Sequence, residues 1–207
     1  MYYWFRELLM TNFFRYLKNI IFSKYMYIPI IYIYIYCIKE PLRQAWTWYF
    51  SKKIKNMHNT ARILGFIHIT DYSKLYLDKY TRIGKDCYFF SNGEIYIGEG
   101  SILSRNITIY TGNHDILGGA IPYDNNYIFK KVIIGKGVWI GMNVNITPGV
   151  KIGDGAIIGM GTTISKDVEP YSIVVGAQQR VVSYRSKEDF IRKLDGNLFF
   201  SKKWPDL

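Results

Sequence analysis

The chain has 207 residues, with 27 Lys and Arg against 16 Asp and Glu, a formal net charge of +11, and 49% hydrophobic and 21% charged side chains. This composition excludes an intrinsically disordered chain, and 17% aromatic residues exclude collagen-like and low-complexity polymers. Two cysteines, Cys37 and Cys87, cannot make a disulfide framework, and Arg6 and Glu7 interrupt the first apolar stretch. No cleavable signal peptide is therefore read, and a reducing, cytoplasmic compartment is expected.

Residues 1–60 contain no glycine; all 18 glycines fall between Gly65 and Gly196. The same 60 residues carry nine basic and two acidic side chains, net +7 of the total +11, so the basic excess is local. Leu9, Phe13, Tyr16, Leu17 and Ile20 recur at the three-and-four spacing of one helical face, which predicts an amphipathic helix. Tyr25 to Ile38 follows as an uncharged run of 14 residues between Lys24 and Lys39. As a helix it would span about 21 Å, short of the roughly 30 Å of a hydrocarbon core. Its Ile/Tyr alternation from Ile31 to Tyr36 also suits a strand, but helix is the favoured reading, with Pro29 near its start. A basic segment rich in Tyr and Trp suits either a cap on the main domain or a neighbouring subunit, or peripheral contact of residues 1–60 with an anionic membrane. Nucleic acid is not an expected partner, because the basic residues are interleaved with aliphatics and no nucleic-acid motif is present.

From residue 61 the pattern changes. Ile134, Ile140, Ile146, Ile152, Ile158 and Ile164 recur every six residues, and Val138, Val144, Val150, Ala156, Thr162 and Val168 keep the same step four positions later. No α-helix gives that period; a β-solenoid of short strands does. Three hexads per triangular coil would stack Ile134 over Ile152, Ile140 over Ile158 and Ile146 over Ile164. Glycine follows the isoleucine at Gly135, Gly141, Gly153 and Gly159, where a tight turn is expected to need freedom in φ. Earlier hexads at Ile83, Phe89 and Ile95 and at Ile97, Leu103 and Ile109 are out of phase by two, with the slip at Asn92 to Tyr96. Ile109 and Ile134 are 25 apart, so about residues 115–131 must leave the solenoid as a loop. After the solenoid (61–185), residues 186–207 read as a C-terminal helix and tail, the helix capped by Ser186 with Asp189 three residues on.

Three stretches, IYTGNHDI (109–116), the run from Val132 to Gly176, and the coils from Ile83 to Ile109, resemble the hexapeptide-repeat acyltransferases, in their branch of capsule and surface-polysaccharide O-acetyltransferases. The resemblance implies a left-handed parallel β-helix, an exception to right-handed crossovers, in a homotrimer with active sites between subunits and acetyl-CoA along the groove. It makes His114 the catalytic base that takes the proton of an acceptor hydroxyl, with Asp115 either orienting the imidazole or capping the loop. His68 reads as a strand residue and His58 as part of a basic connector, so no metal is expected.

By motif alignment the cofactor would meet Trp139, Gly141, Met142, Met160, Ser165, Lys166, Arg180 and Arg185, with a Gly141 or Met142 N–H facing the oxyanion. The bulk of Met142 and Met160, where the family often carries small residues, departs from the pattern, as does Gly-Ala-Gln-Gln-Arg at 176–180. Asn92, Glu94, Tyr110 and Asp124 are candidates to hydrogen-bond a carbohydrate acceptor. The expected activity is acetyl-CoA-dependent O-acetylation of a carbohydrate, most plausibly a bacterial capsular or other surface polysaccharide or its precursor, at the cytoplasmic face of the membrane. The alternatives are acetylation of a small free sugar or antibiotic, or a non-catalytic scaffold.

Overall fold

The structure, a computed structural model, describes residues 15–16, 24–115, 125–176, 180–184 and 186–198. Most of the amphipathic helix predicted over 9–20 lies outside them, as do Asp124 and Arg185. The chain divides into two compact units, Met1–Gln44 and Ala45–Leu207.

The described residues of the first unit are helical, which settles the ambiguity of the Ile/Tyr run. α1 (Lys24–Ile33) leads into a π-helical stretch, Tyr34–Lys39, and on into α2 (Glu40–Lys53). The wide turn is visible at Glu40, whose N–H reaches back five residues to Ile35 O. Among the described residues no helix is long and apolar enough to cross a membrane.

The second unit is a left-handed parallel β-helix of three faces. Face A stacks Asn56–Met57, Leu75–Leu77, Ile95–Ile97, Val132–Ile134 and Lys151–Ile152. Face B runs from Arg62–Ile63 through Trp139–Ile140 and Ile157–Ile158 to Ser172–Val175, where Arg180–Tyr184 adds an antiparallel strand. Face C stacks His68–Ile69, Tyr88–Phe90, Thr108–Tyr110, Asn145–Ile146 and Thr163–Ile164. The three predicted isoleucine pairs are in register, Ile134 on Ile152, Ile140 on Ile158 and Ile146 on Ile164. All six are buried, as are Val138, Val144, Val150, Ala156, Thr162 and Val168 at the other inward position. Each fully buried aliphatic contributes about 1.5–3 kcal/mol. The columns through the isoleucines run unbroken along the prism, whereas the other inward position also carries buried Thr81, Ser101, Thr162 and Ser172.

The role expected of the glycines is corrected. Gly135, Gly141, Gly153 and Gly159 have no positive φ; the left-handed turn falls two residues later, at Gly137, Asn143, Gly155 and Gly161. The post-isoleucine position is glycine because the next coil passes too close: a Cβ on Gly141 would lie 2.7 Å from Met160 N.

The irregular coils also have a simple geometry. Ile63 pairs with Ile83, Ile69 with Phe89 and Leu77 with Ile97, a turn of 20 residues, whereas Ile134 to Ile152 is 18. The two extra residues always enter between face C and face A, from Ile69 to Leu77 and from Phe89 to Ile97, and the 25-residue step from Ile109 to Ile134 crosses the same edge. Insertions therefore collect on one edge of the prism.

The N-terminal end of the solenoid is covered by a helix. Phe50 and Ile54 at the end of α2 are buried with Trp46 and Tyr49 packed beside them, and Thr47 Oγ1 exchanges hydrogen bonds with Ile63 N and O at 3.1 and 2.9 Å. α3 (Lys187–Asp195) is capped as predicted, Ser186 Oγ accepting from Asp189 N, and lies along the edge between faces A and B, where it buries Phe190 against Gly137, Gly155 and Tyr171.

Candidate active site

The edge between faces C and A carries His114. Gly112–His114 and Tyr127–Phe129 form a two-stranded antiparallel ribbon that leaves the solenoid there, with Gly112 opposite Phe129, Asn113 opposite Ile128 and His114 opposite Tyr127. Glycine is needed at the base of the ribbon, since a Cβ on Gly112 would come within 2.6 Å of the Phe129 ring. The cross-strand pair places Tyr127 Oη 2.8 Å from His114 Nε2, with the ring centroids 4.1 Å apart. The direction of that hydrogen bond sets the imidazole tautomer. Tyr127 in turn lies against Phe90 and Phe129, and Phe90 stacks on Tyr110, so the half-buried histidine is backed by an aromatic wall. Asp115 donates its N–H to Asn126 O and so extends the ribbon by one bond.

Sequence candidates for the acceptor flank this edge. Asn92 and Glu94 lie in the coil immediately preceding the ribbon, where Gly93 N–H donates to Thr111 Oγ1 at 2.8 Å and Glu94 O accepts from Val132 N at 3.0 Å. Asn92 is largely engaged within the fold: its Oδ1 accepts from Thr70 Oγ1 and its carbonyl from Lys74 Nζ. Glu94 accepts from Tyr96 Oη at 3.2 Å. Desolvation first, and then the neighbouring Glu94 carboxylate, push the Tyr96 phenol up to about 12. Tyr110 is exposed beside the aromatic wall. Ser165 and Lys166 turn the same edge just after face C, two coils below the ribbon.

The remaining cofactor candidates lie on a different edge. Trp139 is an exposed residue of face B, and Gly141, Met142 and Met160 follow at the turn from face B to face C. Arg180 pairs with Val175 at the same end of face B. Trp139 and Met160 are 55% and 64% exposed, which removes core packing as the reason for the tryptophan. Gly141 N–H donates to Ile158 O at 2.8 Å and is spent on the ladder, so of the two backbone donors expected at the oxyanion only that of Met142 stays in contention. Six residues at about 3.3 Å separate this edge from that of His114, so one chain does not bring the histidine and this set together.

Tyr127 is the partner of His114 that sequence reading missed. Its partner depends on how a loop of uncertain length closes, and no residue pattern announced it. Cys87 is buried, and burial pushes its thiol up to about 11, which leaves it unsuited to nucleophilic work. Among the described residues no three His, Cys, Asp or Glu side chains gather as a metal site.

A left-handed prism of hexads is the fold of the hexapeptide class of transferases. The profile of the bacterial transferase hexapeptide (six repeats) matches residues 131–166. A probable macrolide acetyltransferase of Lysinibacillus sphaericus is 38% identical over 128 residues, 59% of this chain and 68% of that protein. The crystal structure of a maltose O-acetyltransferase from Clostridium difficile 630 is 25% identical with a TM-score of 0.55, over 71% of this chain and 88% of the other. A hexapeptide-repeat acetyltransferase from Vibrio cholerae O1 biovar eltor, complexed with acetyl coenzyme A, has the same fold, 22% identical with a TM-score of 0.56 over 72% and 89% of the two chains. The chain belongs to the hexapeptide-repeat acetyltransferase family and is an acyltransferase.

Proposed function

We propose that the protein transfers the acetyl group of acetyl-CoA to a hydroxyl of a carbohydrate, with His114 as general base. The observation that carries this is the placement of His114 on a ribbon projecting from the solenoid edge, its ring held by Tyr127. His114 takes the hydroxyl proton as the acceptor oxygen attacks the thioester carbonyl, and returns it to the departing sulfur. An imidazole, with an ordinary pKa near 6.5 (approximately), suits both halves of that exchange. No covalent enzyme intermediate is needed.

The complete site lies between copies of the chain in this reading, a homotrimer in which the edge carrying Trp139, Met142, Met160 and Arg180 faces the His114 edge of the next subunit. The separation of the two edges within one chain supports it. Trp139 offers the pantetheine arm a flat apolar wall, and Lys166 and Arg180 offer its phosphates cations.

For the acceptor, a surface polysaccharide or its lipid-linked precursor is the finer reading, with the enzyme in the cytoplasm at the inner face of the membrane. The basic, aromatic-rich residues 1–60 favour it. A small free acceptor is the second reading, favoured by two of the relatives, one named for a macrolide and one for maltose. Acetyl-CoA turnover against macrolides, free sugars, nucleotide sugars and capsule oligosaccharides separates them: the productive acceptor identifies the class, and turnover of the macrolide alone would remove the carbohydrate reading.

A further inference from the structure

The helical stretch Tyr27–Ile38 has no polar face. Tyr27, Ile28, Ile30, Ile31, Tyr32, Ile33, Tyr34, Tyr36 and Ile38 are all exposed, between 45% and 67% of their surface, and no charge lies between Lys24 and Lys39. A helix apolar on every side is stable only where apolar surroundings enclose it. A second helix, or a bundle of three, buries one stripe of each member and leaves the opposite isoleucines and tyrosines in water.

Three further observations identify what encloses it. The uncharged run is 14 residues, about 21 Å as a helix, too short to span roughly 30 Å of hydrocarbon but long enough to lie along its boundary. The four tyrosines carry hydroxyls that reach the headgroup layer while their rings stay among acyl chains. Residues 1–44 hold six basic side chains, Arg6, Arg15, Lys18, Lys24, Lys39 and Arg43, against Glu7 and Glu40, a surplus of four on which anionic headgroups act.

We propose that Tyr27–Ile38 is a lipid-embedded anchor that lies in the interface of an anionic bilayer, its flanking lysines and arginines among the headgroups. The inference deepens the lipid-linked-acceptor reading and rests on it only for its purpose. Acetyl transfer stands or falls separately, because the anchor contains none of the site residues.

The two cysteines make the test direct. Cys37 is exposed within the anchor and Cys87 is buried in the solenoid, so a thiol-reactive, environment-sensitive fluorophore labels the full chain at position 37. The labelled protein is floated with vesicles of phosphatidylcholine alone or with one-third phosphatidylglycerol, some carrying a quencher on the acyl chain. The expected result is flotation with the anionic vesicles, a blue shift, and quenching by the acyl-chain probe. Binding should fall at least about tenfold in the Ile28→Asp/Ile31→Asp double variant and stay unchanged in Leu198→Glu, an equally exposed apolar site outside the anchor. Both substitutions lie on exposed positions, and unaltered thiol release from acetyl-CoA in the double variant reports an intact solenoid. No flotation with either vesicle overturns the proposal, as does flotation without acyl-chain quenching. A blue shift that follows protein concentration instead of lipid also overturns it and assigns the helix to a contact between copies.

Discussion

Tyr127→Phe is the perturbation that tests the site geometry most finely. It removes one hydroxyl, the one 2.8 Å from His114 Nε2, and keeps the ring that packs on Phe90 and Phe129. A hydrogen bond of this kind contributes about 0.5–1.5 kcal/mol, which corresponds to a loss of roughly 2- to 12-fold in kcat/KM if all of it serves to hold the imidazole in its reactive orientation. Because Tyr127 acts through His114, the loss should fall on kcat with acetyl-CoA KM little changed, and the pH–rate profile should move. The melting temperature should stay within a degree or two, since the phenol is at the surface and 41% exposed. The assay is steady-state thiol release across pH 5.5–9 beside a thermal melt. An unchanged kcat/KM and profile would refute the assignment of Tyr127 as the residue that positions the base; a fall in melting temperature with an unchanged profile would make it structural.

Ile158→Ala opens a cavity in the column between Ile140 and Val174 and should cost about 2–5 kcal/mol, read as a fall of roughly 5–15 °C in a thermal melt. Gly141→Ala, whose Cβ would press on Met160 N at 2.7 Å, should destabilise by about 1–2 kcal/mol in urea although its φ is ordinary; a neutral result would contradict the close-approach account of the post-isoleucine glycines. Burial raises the Cys87 thiol from 9.0 to about 11, so the folded state holds its proton to higher pH than the unfolded chain does. The contribution is fully present below about pH 9 and is lost as pH rises through 11, roughly 2–3 kcal/mol in all. Denaturant midpoints across that range should therefore fall with a slope that Cys87→Val removes, and equal slopes in the two proteins would refute it.

The parts of the fold that a reader of the sequence could find are those fixed by short-range repetition. The isoleucine columns follow from period six alone, because each inward side chain meets its copy one coil away. The earlier coils were legible only in outline, since two extra residues per turn at one edge break the phase without changing which residues point inward. The π-helical turn at Tyr34–Lys39 left no trace in residue spacing: helix was the favoured reading of the run although its Ile/Tyr alternation also suited a strand, and nothing in it marked the wider turn. His114 was visible through its motif, whereas Tyr127 was not, because antiparallel pairing across an extruded loop depends on a register that local sequence does not specify. The division of the cofactor candidates between two edges lay within reach: Ser165 and Lys166 follow a face-C isoleucine, whereas Gly141 and Met142 follow a face-B one, and hexad phase separates them.

The central claim is base catalysis by His114 in acetyl transfer from acetyl-CoA, and acceptor-dependent thiol release in wild type against His114→Ala tests it most directly. Removal of a general base should lower kcat by about 10²–10⁴-fold while acetyl-CoA binding, measured by calorimetry, is retained. Equal rates in the two proteins would contradict the assignment of the base, and failure of the wild-type protein to bind acetyl-CoA would contradict acetyl transfer from it.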